Sequence, residues 1–216
     1  MYFCTSKLKN IMRNKIFLIL IVLFGTLCDL QAEETANSRQ ARRIFNSAYE
    51  QVFGEQGASL HYDVNITGIY KTRGTIWYKG RKSKFDEARM TSWNDGKYVY
   101  TFKKRKREVE LHTAKNNKSD KYSQKFKFAP ENYTYSIAEA DGGLMVTLKL
   151  IKGRKGMKEI QALLERKTYH PISVRIKIAF IWTTIKISNF QSGGITDEML
   201  RFPKELYKDY KFVDKR

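Results

Sequence analysis

An alternation of apolar and polar residues with a period of two constrains the fold of this chain more than any other feature. It begins at Ala58 and continues almost to the C-terminus. Successive side chains of a β-strand point to opposite faces of a sheet, so the alternation predicts strands. Turn signals with glycine, such as Asp141-Gly142-Gly143, separate the runs. The pattern predicts a mainly β fold with helices, in which roughly nine to eleven strands form an antiparallel meander.

A hairpin with one aromatic face is predicted at Asp95-Gly96. Gly96 can adopt the positive φ that a tight turn requires, so this pair is a strong hairpin signal. The strand that follows should place three aromatic residues on a single face. The basic run K-K-R-K-R at 103–107 then predicts a solvated turn. The aromatic residues of this strand are Tyr98, Tyr100 and Phe102.

Helices are predicted at both ends of the alternating region. Over 38–53, apolar residues recur at spacings of three and four, and Ser38 can serve as the N-cap. The region 84–90 predicts one strand among the others, whereas the lysine-rich stretch 115–132 is either a loop or a short helical insertion. Near the C-terminus, 196–200 predicts a short helix ahead of a final strand at 211–213.

Residues 1–32 have the features of a secretory signal peptide. Lysine and arginine residues precede a nearly unbroken apolar stretch at 16–27, and Ala32 offers a small residue for cleavage. We therefore expect export, cleavage near Ala32 and a single domain over 33–216. An uncleaved anchor, a start at Met12 and lipidation of Cys28 are open alternatives. Cleavage at Ala32 would remove both cysteines, so we expect no disulfide.

The chain is strongly basic. It has 41 lysine and arginine residues against 22 aspartate and glutamate residues, which gives a formal net charge of +19. Such a charge attracts anionic partners, among them lipid head groups, membrane surfaces and acidic proteins. A solvated basic surface without a partner is the alternative. Because we expect export, we expect no nucleic-acid partner.

No group of residues in the sequence is typical of a catalytic or metal centre. The three histidines, His61, His112 and His170, lie on separate runs. A metal site needs converging ligands, and nucleophilic catalysis needs a nucleophile beside a base. Asp63 and the pair Asp86-Glu87 fit solvated strand faces. We therefore expect no metal, no cofactor and no enzymatic activity.

The apolar face of the predicted sheet leaves two interpretations open. A single helix is too small to cover about nine strands or more. Either the sheet closes on itself around a core, or its remaining apolar face forms a pocket. The residues alone do not decide between these interpretations.

The order of the pieces resembles the LolA/LolB-type periplasmic lipoprotein carriers, and the LolA-like outer-membrane lipoprotein carrier proteins in particular. A signal peptide and an amphipathic helix precede a strand that ends in G-T-I-W-Y-K-G at 74–80. The hairpin D-G-K-Y-V-Y-T-F at 95–102 follows, and T-I-K-I-S-N-F stands at 184–190. The tail contains Phe202-Pro203 and ends in V-D-K-R at 213–216. The resemblance covers nearly all of 38–216.

This resemblance implies an incomplete, or half, antiparallel β-barrel covered by the N-terminal helix and short lid segments. It implies a monomeric periplasmic carrier that binds acyl chains of lipoproteins or lipids in an apolar cavity and shuttles them from the inner to the outer membrane. Its partners would be an inner-membrane release complex and an outer-membrane acceptor. The predicted cavity wall consists of Leu60, Tyr62, Val64, Ile66, Trp77, Tyr98, Tyr100, Phe102, Leu148, Ile176 and Ile178. On this prediction, Tyr100→Glu abolishes lipid binding without unfolding the protein.

The alternative is a non-carrier envelope sensor or adaptor on the same scaffold. It would use a basic rim to bind a protein partner, since clustered cations favour an acidic surface. The predicted rim consists of Lys103, Lys104, Arg105, Lys106 and Arg107.

Overall fold

Twelve strands form one open sheet in the computed structural model, which describes residues 34–66, 70–114, 129–178 and 181–216. The strands are β1 (Ala58–Ile66), β2 (Tyr70–Lys79), β3 (Lys82–Glu87), β4 (Met90–Asn94), β5 (Tyr98–Lys103), β6 (Glu108–Thr113), β7 (Tyr133–Ala140), β8 (Gly143–Leu150), β9 (Glu159–Leu164), β10 (Pro171–Ile178), β11 (Ile181–Ser192) and β12 (Lys211–Asp214). The predicted mainly β half-barrel is confirmed, with one strand more than expected. The predicted signal peptide and most of the lysine-rich stretch 115–132 lie outside the described residues.

Two meanders meet in the middle of this sheet. Strands β1 to β6 and strands β7 to β11 each follow chain order, and the antiparallel pairing of β1 with β11 joins them. Tyr62 stands opposite Ile187 in that pairing. At one edge β12 adds to β6 in parallel, with Phe212 opposite Val109. The other edge is β7. Two segments far apart in sequence therefore form the centre of the sheet.

The helix α1 (Ala36–Phe53) packs its apolar stripe on one face of the sheet. Ala41, Ile44 and Ala48 are buried in a core that β7, β8 and β9 share. Val52, near the other end of α1, belongs to a second buried cluster with β1 and β2. Spacings of three and four residues place these side chains on one stripe of a helix. We call the side of the sheet that α1 covers the helix face.

The helix α1 begins at Ala36. Ser38 therefore lies inside it, and the prediction that Ser38 is the N-cap is wrong.

The helix also covers the edge of β7 that has no neighbouring strand among the described residues. Asn37 Nδ2 donates a hydrogen bond of 2.8 Å to the carbonyl oxygen of Ile137, and Asn37 Oδ1 accepts one of 3.0 Å from the Ile137 N–H. The side-chain amide thus replaces a neighbouring strand at an edge whose backbone groups could otherwise pair with another chain.

The C-terminal tail packs on the opposite side of the sheet, which we call the tail face. The tail contains α2 (Asp197–Leu200), a 3₁₀-helix (Lys204–Tyr207) and β12. The predicted short helix is confirmed, and Thr196 Oγ1 accepts a hydrogen bond from the N–H of Met199 at its start. Phe202 packs on Trp93 of β4 with ring centroids 5.3 Å apart. Both rings are buried, so this contact fixes the tail to the sheet.

The predicted hairpin at Asp95-Gly96 is present between β4 and β5. Gly96 has a φ of 91°, a conformation that favours glycine. The Asp95 carboxylate accepts hydrogen bonds of 2.8 and 2.7 Å from the N–H groups of Lys97 and Tyr98. The basic run forms the next turn, as predicted. The prediction of one strand over 84–90 is wrong, because the chain turns at Ala88-Arg89 and separates β3 from β4.

Candidate functional site

Strand register decides which of the predicted wall residues share a surface. Residues directly opposite each other in paired strands lie on the same face of the sheet. One row of opposed residues on the helix face consists of Leu60, Ile76, Phe85, Ser92 and Thr101. Because Thr101 belongs to this row, its neighbours in β5 point to the tail face. The aromatic face of β5 is therefore on the tail side.

Part of the predicted wall lies on the helix face. Leu60 and Tyr62 are nearly inaccessible there, and Leu148 is completely buried in the core. Leu148 therefore belongs to the core between α1 and the neighbouring strands, and its part in lipid binding stays a prediction. Val64 and Ile176 are half-buried. The side chains of the two remaining predicted residues on these strands, Ile66 and Ile178, lie outside the described residues.

The other part of the predicted wall lies on the tail face, which corrects the prediction. Trp77 stands opposite Lys84, and the Lys84 ammonium lies 4.9 Å from the centre of the indole ring. Tyr98, Tyr100 and Phe102 share the tail face, since Tyr100 stands directly opposite Trp93. These four residues cannot line the same surface as Leu60 and Val64. The prediction combined two opposite faces into one wall.

The tail covers much of the aromatic face of β5. Tyr100 stacks on Phe202 with ring centroids 4.4 Å apart, and Phe102 meets Tyr207 at 4.7 Å. Such ring contacts add to the stability that area burial provides. Tyr100 and Phe102 therefore hold the tail on the sheet. The substitution Tyr100→Glu would test this packing and not the binding of lipid.

A group of half-buried apolar residues remains on the helix face beside α1. They come from β1, β2, β3, β10 and β11, and we call them the apolar strip. The apolar strip consists of Val64, Tyr78, Phe85, Ile176, Ile185, Ile187 and Phe190. Asn189 has a positive φ of 50° at a bulge in β11. A bulge adds one residue, so Phe190 returns to the face of Ile187.

An aromatic flank of α1 accompanies the apolar strip. Phe45, Tyr49 and Phe53 follow one another at intervals of one turn, with neighbouring ring centroids 6.3 and 4.7 Å apart. Phe53 also contacts Tyr78 of the strip at 4.9 Å. Tyr49 is 39% exposed and Phe53 is 37% exposed. Strip and flank together offer an accessible apolar surface of the kind that binds apolar ligands or protein partners.

Polar residues bound the strip on the side of β5 and β6. Ser92 Oγ and Thr101 Oγ1 lie 3.3 Å apart on the helix face. Beyond them the Glu110 carboxylate is buried, accepts a hydrogen bond from Lys215 and lies 2.6 Å from Lys103 Nζ. Burial by itself raises the pKa of Glu110, but the hydrogen bonds and charges of the two lysines outweigh it and lower the pKa to about 2. The ionised carboxylate ties the end of the tail to β6.

Glu110→Gln is expected to lower the free energy of unfolding by about 1–2 kcal/mol at neutral pH, because half-exposed lysines lose a charged partner. The pKa of Glu110 is depressed in the folded state, so its contribution is complete above about pH 4.5, the ordinary pKa of glutamate, and disappears as the pH falls toward about 2. Urea unfolding at several pH values measures the difference. Glu139→Gln is the control, since Glu139 is 73% exposed in its pair with Arg166. A difference that persists unchanged at the lowest pH would contradict this role of Glu110.

Some residues of the basic run interact with other side chains of the same molecule. Lys103 and Lys104 form ion pairs of 2.6 and 2.8 Å with Glu110 of β6 and Asp86 of β3, respectively. The Arg107 guanidinium lies 4.8 Å above an aromatic ring of the tail. Arg105 and Lys106 are exposed at the tip of the turn. The prediction that the whole run binds a partner stays a prediction.

Two further properties concern the described part of the chain alone. It contains no cluster of three or more histidine, cysteine, aspartate or glutamate side chains that could hold a metal ion. Its helices are also too short or too polar for any of them to cross a bilayer.

Comparison with known proteins finds similarity in structure and not in sequence. No protein-family model and no curated protein matches the sequence. The chain is similar to an uncharacterized conserved protein from Thermus thermophilus, with 10% identity, a TM-score of 0.57, and coverage of 82% of this chain and 99% of that chain. It is also similar to MucB, with 14% identity, a TM-score of 0.50, and coverage of 78% of this chain but only 64% of MucB.

A LolA superfamily protein from Nitrosomonas europaea is another similar structure, with 9% identity, a TM-score of 0.36, and coverage of 75% of this chain and 97% of that chain. At these identities the similarity concerns the fold alone. The open sheet with its N-terminal helix is the half-barrel architecture that the resemblance to LolA-like carriers implied.

Proposed function

We propose that this protein is an exported carrier that binds acyl chains of lipoproteins or lipids on the apolar strip and moves them from the inner to the outer membrane. One observation carries the proposal: the apolar strip and the flank of α1 form an accessible apolar surface on the helix face. Half-exposed apolar residues that form one group leave apolar surface in contact with water, and a bound apolar ligand would cover that surface.

The chemistry of the strip suits an alkyl chain. Its members are aliphatic or aromatic, and burial raises the pKa of the Tyr78 hydroxyl further above neutrality, so the strip is uncharged. Each methylene that leaves water contributes about 0.8 kcal/mol to binding. A surface that covers a chain on one side recovers only part of this free energy. Partial cover therefore supports binding that is reversible, as carriage requires.

A carrier also needs a donor and an acceptor. We assign these roles to an inner-membrane release complex and an outer-membrane acceptor, between which the protein travels as a monomer. The exposed cations Arg105 and Lys106 are candidates for contact with acidic surfaces on either partner. The carrier role requires no catalytic activity, and we propose none.

Uptake of a synthetic triacylated lipopeptide tests this function. The protein is expressed with its own leader, its N-terminus is identified by mass, and native mass spectrometry measures complex formation. The matched control ligand is the same peptide without acyl chains. We expect a one-to-one complex with the acylated peptide alone, because the apolar strip recognises alkyl groups. Absence of that complex would contradict the proposal.

A protein-binding adaptor is the second candidate function. It is favoured by the similarity in fold to MucB, since Pseudomonas aeruginosa MucB has also been solved as a complex with MucA. On this alternative, the same apolar surface or the basic turn would receive a segment of a protein partner. Equal binding of the acylated and unacylated peptides would favour the adaptor, because recognition would then depend on the peptide.

A further inference from the structure

The tail presents two large apolar side chains to solvent. Leu206 is 73% exposed, the highest value among the large apolar side chains of the described residues, and Phe212 is 50% exposed. The segment that presents Leu206 is well fixed, since the Leu206 N–H donates a hydrogen bond of 3.1 Å to the carbonyl oxygen of Pro203. Its neighbour Tyr207 packs on Trp93 with ring centroids 5.6 Å apart. Leu206 therefore projects into solvent from a segment that is packed on the sheet.

An aromatic cleft of about 270 Å³ opens in the same part of the tail. Four rings contribute to its lining, and Phe212 is one of them. The rings are Phe202, Tyr207, Tyr210 and Phe212. Exposed apolar and aromatic groups of this kind are typical of sites that enter the boundary between head groups and acyl chains.

Two lysines and two acids stand beside these apolar groups, since Asp209 directly follows Lys208, and the basic run adds further cations. Lys204 and Lys208 line the cleft together with one acid, Glu205. Neither lysine has an ion pair within the parts of the chain that the structure describes. Arg107 lies 4.8 Å above the ring of Tyr210, which places the turn of the basic run beside the cleft. Exposed apolar groups within a basic surface complement an anionic bilayer, because head groups neutralise the cations while the apolar groups enter the lipid.

We propose that this part of the tail face is a peripheral membrane-contact site that binds the surface of a bilayer containing anionic phospholipids. Leu206 and Phe212 would insert between the head groups, and Lys204, Lys208 and Arg107 would contact lipid phosphates. The site is separate from the apolar strip, which lies on the opposite face of the sheet. It therefore does not depend on acyl-chain carriage.

Co-flotation of the full chain with lipid vesicles tests the proposal. The anionic vesicles contain phosphatidylglycerol and phosphatidylethanolamine, and the neutral vesicles contain phosphatidylcholine. All variants are compared with the same N-terminus, identified by mass, so that any retained leader contributes equally. At about 0.1 M salt we expect binding to the anionic vesicles and little to the neutral ones. We expect Leu206→Ser to weaken that binding about tenfold and Lys204→Glu with Lys208→Glu to weaken it by more than about 25-fold.

Two matched variants show whether vesicle binding depends on this site in particular. Ile172→Ser removes a different exposed apolar side chain, 36% exposed, and should leave vesicle binding unchanged. Ile151→Ser removes another exposed apolar side chain, 38% exposed, and should also leave vesicle binding unchanged. The proposal is overturned if the wild-type chain does not bind anionic vesicles, or if Leu206→Ser binds them as well as wild type. It is also overturned if soluble polyglutamate binds as tightly as the vesicles, since the surface would then recognise acidic protein.

Discussion

Ile187→Glu is expected to abolish uptake of the triacylated lipopeptide, with a loss of at least about 100-fold in affinity. Ile187 is half-buried in the apolar strip, opposite Tyr62 at the centre of the sheet. An alkyl chain could bind there only by removing water from the new carboxylate, which costs several kcal/mol. Each 1.4 kcal/mol corresponds to about a tenfold change in affinity. Titration followed by native mass spectrometry measures the loss.

Ser188→Glu is the matched control for this substitution. It introduces the same charge one residue further along β11, at an exposed position on the other face. Ser188→Glu should bind the lipopeptide like the wild type. Thermal unfolding shows whether each variant is folded, and Ile187→Ser provides a milder change if the glutamate variant is not. A folded Ile187→Glu protein with wild-type affinity would remove the apolar strip from the binding site.

Phe202→Ala is expected to lower the free energy of unfolding by about 3–5 kcal/mol. Phe202 is only 9% exposed, and its ring lies 4.4 Å from Tyr100 and 5.3 Å from both Trp93 and Tyr207. Its removal leaves a cavity where the tail meets the sheet. For a domain of this size the melting temperature should fall by about 10 °C, which thermal unfolding can measure.

Leu206→Ala is the control for Phe202→Ala. It shortens a neighbouring side chain that is 73% exposed, so it should change the melting temperature very little. Folded Phe202→Ala protein should still take up the lipopeptide, because Phe202 packs on the tail face. If its stability matched that of the wild type, the tail would not be packed on Trp93 and Tyr100 as described.

Local patterns predicted the type of most elements. The alternation from Ala58 onward predicted strands, and the Asp95-Gly96 pair predicted a tight hairpin, because both signals act over a few neighbouring residues. The stripe that contains Ala41, Ile44 and Ala48 predicted the helix for the same reason. The half-barrel arrangement was predicted from the family resemblance that the order of these pieces carries.

The division of the strands between the two faces could not be predicted in the same way. Alternation shows that Trp77 and Tyr78 point in opposite directions, but it does not show which of them faces α1. The aromatic face of β5 has the composition of a core, and it packs under Phe202, a residue about 100 positions away in sequence. A pairing so distant leaves no local signal.

The apolar strip was largely missed because it depends on strand pairing and on a bulge. Ile185 and Ile187 join Val64 only because β11 pairs with β1. Phe190 would point away from Ile187 in a regular strand, since the two positions differ by three. The bulge at Asn189 corrects that direction. An asparagine within a strand can suggest a bulge, because asparagine adopts the left-handed conformation more readily than most residues. It does not show which face of the sheet the next side chain joins.

Photo-cross-linking would show which face of the sheet receives the acyl chain. A lipopeptide with a diazirine near the end of one acyl chain is bound, irradiated and digested, and the labelled residues are identified by mass spectrometry. We predict labels on the apolar strip, chiefly at Ile176, Ile185 and Ile187, and on the flank of α1. Labels confined to the tail face around Tyr98 and Phe102, or no specific label, would contradict the assignment of the apolar strip as the acyl-chain site.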